Sequence, residues 1–135
     1  MATGATLEIQ PLGPPYSEFA HDIDLVEKYR KNAEALGRTF DSTPRRGAGS
    51  TDMANVSLLM PTIHPMLGLD SGSAVNHQPE FAAYCRTPVA DKAAVEGALA
   101  MALTAVDAAT DESTRARLLS HETSYSGAEA YPWSF

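Results

Sequence analysis

A chain of 135 residues, 44% hydrophobic and 20% charged, has the size and make-up of one globular domain able to hold a core without covalent staples. Its net charge of −7, against no basic cluster larger than Arg45-Arg46, argues against nucleic acid and anionic membrane surfaces as partners. The single cysteine, Cys85, rules out an intrachain disulfide framework and points to a reducing compartment.

The chain opens on Met1-Ala2-Thr3-Gly4, which reads as the end of a helix with its glycine cap. TLEIQ, residues 6 to 10, alternates apolar and polar, and predicts a strand with Leu7 and Ile9 on one face. PLGPP, residues 11 to 15, excludes regular structure and reads as a crossing between two bodies. Asp22 is the expected N-cap of a helix that carries Ile23, Val26, Tyr29 or Arg30, Ala33 and Leu36 on an apolar face and stops at Gly37.

Residues 41 to 51, DSTPRRGAGST, form a loop, and a single helical turn is expected from Asp52 to Ser57. TIHPMLGL, residues 62 to 69, predicts an edge or bulged strand because it contains Pro65. A short helix is expected to open near Pro79, and Cys85 reads as a small buried hydrophobe. Thr87-Pro88 is a clear helix start, and Val95, Leu99, Ala102 and Val106 recur at heptad-like spacing along a well-buried helix from about 88 to 109. A more polar helix is expected from Asp111 to about Ser120, and the tail after it has aromatics but no period. No apolar run approaches the roughly 20 residues of a membrane helix, and the first ten residues lack the charged and apolar regions of a secretory signal. A cytoplasmic location is the corresponding expectation.

Three stretches could carry chemistry. Gly49-Ser50-Thr51-Asp52 leads into a helical turn whose free N–H groups and hydroxyls suit a carboxylate or phosphate, although plain N-capping by Ser50 or Thr51 accounts for the same spacing. His64, between Ile63 and Pro65, reads as a structural histidine. His77, in NHQPEF, sits at the mouth of a short helix and could ligate a metal or carry a proton. Neither His21, His64 and His121 nor the scattered carboxylates show metal-ligand spacing with it. No H-E-x-x-H, C-x-x-C, G-x-S-x-G, P-loop or dinucleotide motif is present.

Taken in order, ATGATLEI, the KNAEALGR that closes residues 16 to 37 and its first neighbour, GSTDMANVS, MPTIHPMLGL, NHQPEF and the helix from Pro88 to Ala109 resemble the C-terminal part of the co-catalytic zinc peptidase and amidohydrolase family. That family includes carboxypeptidase G, aminoacylase and aminobenzoyl-glutamate hydrolase, and the likeness is to its amidohydrolase and dipeptidase branch. The resemblance implies an α/β fold: part of a zinc-peptidase catalytic domain, a mixed sheet flanked by helices, over residues 13–135. Residues 1–12 would then be the last strand of an inserted ferredoxin-like lid. It further implies that His77 matches the final zinc ligand, and that Gly49, Ser50, Thr51 and His64 lie on the substrate side. The complete enzyme would use two zinc ions and a glutamate base to hydrolyse the amide bond of a small N-acyl amino acid or dipeptide-like substrate.

The departures are as informative. The chain has no His-x-Asp and no Glu-Glu, the family's first ligand motif and its carboxylate pair. It therefore holds one metal ligand at most and no catalytic residue, and the expectation is an inactive fragment whose partner is the missing N-terminal half. The alternative is a non-catalytic remnant that acts by forming a homodimer or by docking onto a partner through uncovered apolar surface.

Overall fold

The computed structural model describes residues 3–40 and 50–120, and five helices form along them. The first, α1 (Ile23–Ala35), starts where Asp22 accepts a hydrogen bond from the Leu25 N–H at 3.0 Å. It stops in a Schellman motif: Gly37 takes φ +87°, the Gly37 N–H donates to the Glu34 carbonyl, and the Arg38 N–H donates to the Ala33 carbonyl. Two short helices follow, α2 (Met53–Ser57) and α3 (Pro79–Tyr84). The long helix α4 (Pro88–Thr110) has Thr87 as its cap and Pro88 at its first position. After it α5 (Glu112–Leu119) opens on Asp111, which accepts from the Thr114 N–H at 2.8 Å.

α1 and α4 run antiparallel. Lys28 lies 3.7 Å from Asp111, Asn32 donates to Asp107 at 2.7 Å, and Arg38 pairs with Glu96 at 3.0 Å, so rising numbers on one helix meet falling numbers on the other. The helices meet through small residues. Ala93, Gly97, Ala100, Thr104 and Ala108 are the buried positions of α4, and Ala33 and Tyr29 those of α1. Tyr29, Ala33 and Ala100 form the core, flanked by Leu36 and Ile63. The segment around Thr62 crosses over the start of α1, where the Asp22 N–H donates to the Thr62 carbonyl at 3.0 Å.

The expected α/β class is overturned: the described residues contain helices and irregular segments and no strand. TLEIQ and TIHPMLGL carry the alternation of strands but find no neighbour to pair with, and a strand without a ladder leaves its backbone groups unsatisfied. Leu7 and Ile9 are accordingly exposed. Among the described residues, then, neither the mixed sheet nor the lid strand forms.

Two further expectations are corrected. α4 is mostly uncovered rather than well buried, because the stripe turned inward is the small one and Val95, Leu99 and Val106 face out. Cys85 is exposed, being the C-cap of a helix with no buried residue. The expectations for Met1 and Ala2, for residues 41–49 and for the tail 121–135 fall outside the described residues.

Gly97 reports on the tightness of the packing. A Cβ there would come within 2.3 Å of Leu67 Cδ1, but Leu67 is a partly exposed side chain free to swing. Glycine also costs a helix interior about 1 kcal/mol relative to alanine. Gly97→Ala is therefore expected to change the unfolding free energy in urea by no more than about 1 kcal/mol, lost side-chain seating offsetting the gain in helix propensity. A loss above about 2 kcal/mol would mean that Leu67 is held against α4 and cannot yield.

Candidate functional site

The GSTD turn folds on itself. The Thr51 hydroxyl accepts from the Met53 N–H at 3.3 Å, and the Thr51 carbonyl accepts from the Ala54 N–H at 3.1 Å. Thr51 thereby occupies N–H groups otherwise open to a ligand, the local capping expected beside that role. Asp52 is the cap residue of α2 by position but makes no side-chain cap bond. Ser50 is exposed, and Gly49 lies outside the described residues.

What holds this turn in place is a pair of side chains the sequence reading did not single out. Asn55 accepts from the Ser17 N–H at 3.0 Å and donates to the Pro15 carbonyl at 3.1 Å. Ser57, buried, accepts from the Ala20 N–H at 3.0 Å while donating to the Ala54 carbonyl at 2.6 Å. Both belong to DMANVS, and the only sequence signal was that two polar residues sit in an otherwise apolar helical turn. Their work is to satisfy the backbone of residues 15–20, which has no secondary structure of its own.

His64 stands in a cavity of about 330 Å³ whose lining includes His21, Val26, Tyr29, Arg30 and Phe40. Phe19 lies tilted against both imidazoles, with ring centroids 4.4 Å from His21 and 6.2 Å from His64. His64 is exposed at the mouth and not the satisfied interior histidine read from its apolar neighbours. Tyr29 lies at the floor, its phenol pushed above the ordinary value by burial. The cavity therefore offers apolar walls with imidazole, phenol and guanidinium groups at its edges, a lining that suits a small amphiphilic molecule. Arg30 is partly committed elsewhere, paired with Glu34 at 3.1 Å.

His77 has an unusual backbone. It takes φ +65°, the sole non-glycine residue in the left-handed region among those described, immediately before Gln78, the extended cap residue of α3. Histidine tolerates this region better than most residues, but the conformation is uncommon and tends to occur where a side chain must be aimed. The imidazole is exposed. Among the described residues no hydrogen bond or ring contact joins it to Ser50, Thr51 or His64, and it does not line the cavity that holds His64. Among the described residues, moreover, no group of three or more His, Cys, Asp or Glu side chains could hold a metal ion. The residues present do not fit a complete zinc site: His77 can give one ligand, where zinc needs three or four.

Comparison with known proteins gives one consistent result. The chain is 31% identical over 110 residues to the Xaa-Arg dipeptidase of Mus musculus, covering 79% of this chain and 25% of that protein. It is 32% identical over 110 residues to the Xaa-Arg dipeptidase of Homo sapiens, with the same coverage. The chain thus spans about a quarter of the length of the curated relatives it matches. No family model matches the chain, and no solved structure matches it. The chain is a distant relative of proteins that are peptidases.

Proposed function

We propose that this chain is one part of a metal-dependent dipeptidase or amidohydrolase that hydrolyses the amide bond of a small N-acyl amino acid or dipeptide-like substrate. The observation that carries the reading is the likeness, over 79% of the chain, to enzymes named as dipeptidases. In this reading His77, at φ +65° just ahead of α3, supplies one ligand to a zinc centre. Gly49, Ser50, Thr51 and His64 contribute to the substrate side, the last through the cavity it shares with His21. The remaining ligands and the base come from outside this chain, so its own residues bind and orient the substrate and carry no step of the reaction.

A chimera tests it directly. The matched quarter of the mouse enzyme is replaced by this chain, and hydrolysis of an Xaa-Arg dipeptide is followed with and without a chelator. The expected result is turnover by the chimera that the chelator removes, and none by the chain alone. A chimera that folds and binds zinc but hydrolyses no dipeptide or N-acyl amino acid would overturn the reading.

A second reading has its own support. The large apolar side chains left uncovered on α4 suit a protein that oligomerises or docks onto a partner, the non-catalytic alternative.

A further inference from the structure

α5 is fastened to α1 by polar groups. Of its eight residues Thr114 alone is buried, and what it offers α1 is a hydroxyl. Thr114 donates to Asp24 at 2.7 Å, and Arg117 grips Asp22 and also reaches Asp24 at 3.3 Å. Asp111, the cap of α5, lies 3.7 Å from Lys28. Where apolar side chains of the helices would have met, an open groove of about 460 Å³ stands instead, its lining including Leu25, Ile63, Met101, Ala105, Leu118 and Leu119. Leu119 is 72% exposed, so packing adds little to the fastening.

We propose that α5 is a strap released by salt: it undocks and unravels as a unit while the α1–α4 pair stays folded. The core makes this separation possible, since Tyr29, Ala33 and Ala100 with Leu36 and Ile63 include no residue of α5. α1 and α4 also keep polar ties of their own. Asn32 donates to Asp107 at 2.7 Å, and Arg38 pairs with Glu96 at 3.0 Å, whatever α5 does.

The joint between α4 and α5 is a single residue. Asp111 is extended, at φ −74° and ψ 113°; its N–H closes α4 on the Asp107 carbonyl at 2.9 Å, while its carboxylate caps α5. Rotation about its N–Cα bond carries that cap away with α5 and leaves the last turn of α4 intact. A side-chain bond also crosses the joint, from the exposed Arg115 to the Ala109 carbonyl at 3.0 Å. Once undocked, eight residues are too few to persist as a helix in water, so release is read as lost amide protection in α5.

Salt selects this element because its fastenings are partly open to solvent. The side chains of Asp24 and Asp111 are 41% and 43% exposed, so dissolved ions screen their attraction to Arg117 and Lys28. Asp22, at 3% exposed, is screened least and keeps α5 docked at low salt. Screening also relieves the self-repulsion of a chain with net charge −7, an effect that body and strap share. Amides of α4 therefore serve as the reference for those of α5. The inference stands apart from the hydrolase reading, because every group it uses lies within this chain.

Amide hydrogen exchange of the whole chain, followed by NMR at one pH, tests it. Between about 0.01 and about 1 M sodium chloride the screening length falls from about 30 Å to about 3 Å. At the high end the amides of Arg115 to Leu119 are expected to exchange about tenfold faster relative to those of Ala100 and Thr104. Asp24→Asn keeps an acceptor for Thr114 but removes a charge that Arg117 meets. It should speed α5 exchange at low salt and shrink the response to salt. Glu34→Gln, which breaks the exposed pair with Arg30 elsewhere on α1, should alter neither. Exchange of α5 in step with Ala100, or a ratio between them that salt does not move, overturns the proposal. So does a salt response that Asp24→Asn leaves unchanged. Absence of protection in α5 at the lowest salt also overturns it, since an undocked helix has nothing to release.

Discussion

Arg117→Ala is expected to lower the free energy of unfolding by about 3 kcal/mol, because it leaves a buried carboxylate without its partner. The guanidinium spans both oxygens of Asp22, the Nη2–Oδ1 contact being 3.0 Å, and Asp22 is 3% exposed. The same carboxylate caps α1, so its position is held from both ends. Arg117 also reaches Asp24 at 3.3 Å, and Asp24 accepts from the Thr114 hydroxyl at 2.7 Å. The pair thus clasps α5 to the start of α1, across 95 residues of chain. Urea unfolding followed by circular dichroism checks the size of the effect, and a loss below about 1 kcal/mol would reduce the clasp to a surface ion pair. Removing both charges together, as in Asp22→Asn with Arg117→Met, should recover part of the loss, since the unpaired charge and not the missing attraction is the larger cost.

Two carboxylates at the same helix junction, Asp24 and Asp111, make stability sensitive to acid. The Thr114 hydroxyl, with Lys28 and Arg117, holds the Asp24 carboxyl below its ordinary value of 3.8. The Ser113 hydroxyl and the Thr114 N–H hold Asp111 well below the same value. For carboxylates whose folded value is depressed, the stabilisation is complete above the unfolded value and is lost as pH falls through the folded one. Stability should therefore be level with respect to these two groups from neutrality down to about pH 4 and decline below it. In Arg117→Ala the decline should be shallower, because one of the interactions that lowers Asp24 is gone.

The helices were legible in the sequence because their ends are local chemistry. Asp22, Thr87-Pro88 and Asp111 each act through backbone N–H groups two or three residues away, and the structure has a helix after each. The strands were misread for the opposite reason. Alternation in TLEIQ says which face a neighbour would cover, but only a neighbour makes a strand, and none is within this chain's described residues.

α4 shows a subtler failure. Its period was readable, yet the period does not say which side turns inward. Ala33 and Ala100 let two helices approach closely, and that contact took the small stripe and left the large one outside. Of the candidate site, the capping role of Thr51 was readable because it is local. The Phe19–His21–His64 cluster and the Asn55 and Ser57 clamp were not, since each joins segments about forty residues apart. The backbone of His77 was equally hidden: a positive φ in a residue other than glycine has no sequence signature.

That backbone allows the ligand assignment to be tested without disturbing the fold. Asparagine tolerates the left-handed region, so His77→Asn removes the imidazole while keeping the conformation. The exposed position costs little core packing, and the unfolding free energy of the chain is expected to stay within about 1 kcal/mol of the parent. In the chimera with the mouse enzyme, the same substitution should lower kcat/KM for the Xaa-Arg dipeptide by more than about 100-fold, beyond what loss of a supporting group alone would cause. Zinc content, measured by atomic absorption after dialysis, should fall with it. A supporting histidine gives a different pattern: turnover drops modestly while the metal stays bound. Unchanged turnover and unchanged zinc would sink the assignment of His77 altogether. The strained backbone would then need another cause, and the closest on hand is the turn into α3, where Gln78 must reach an extended conformation ahead of Pro79.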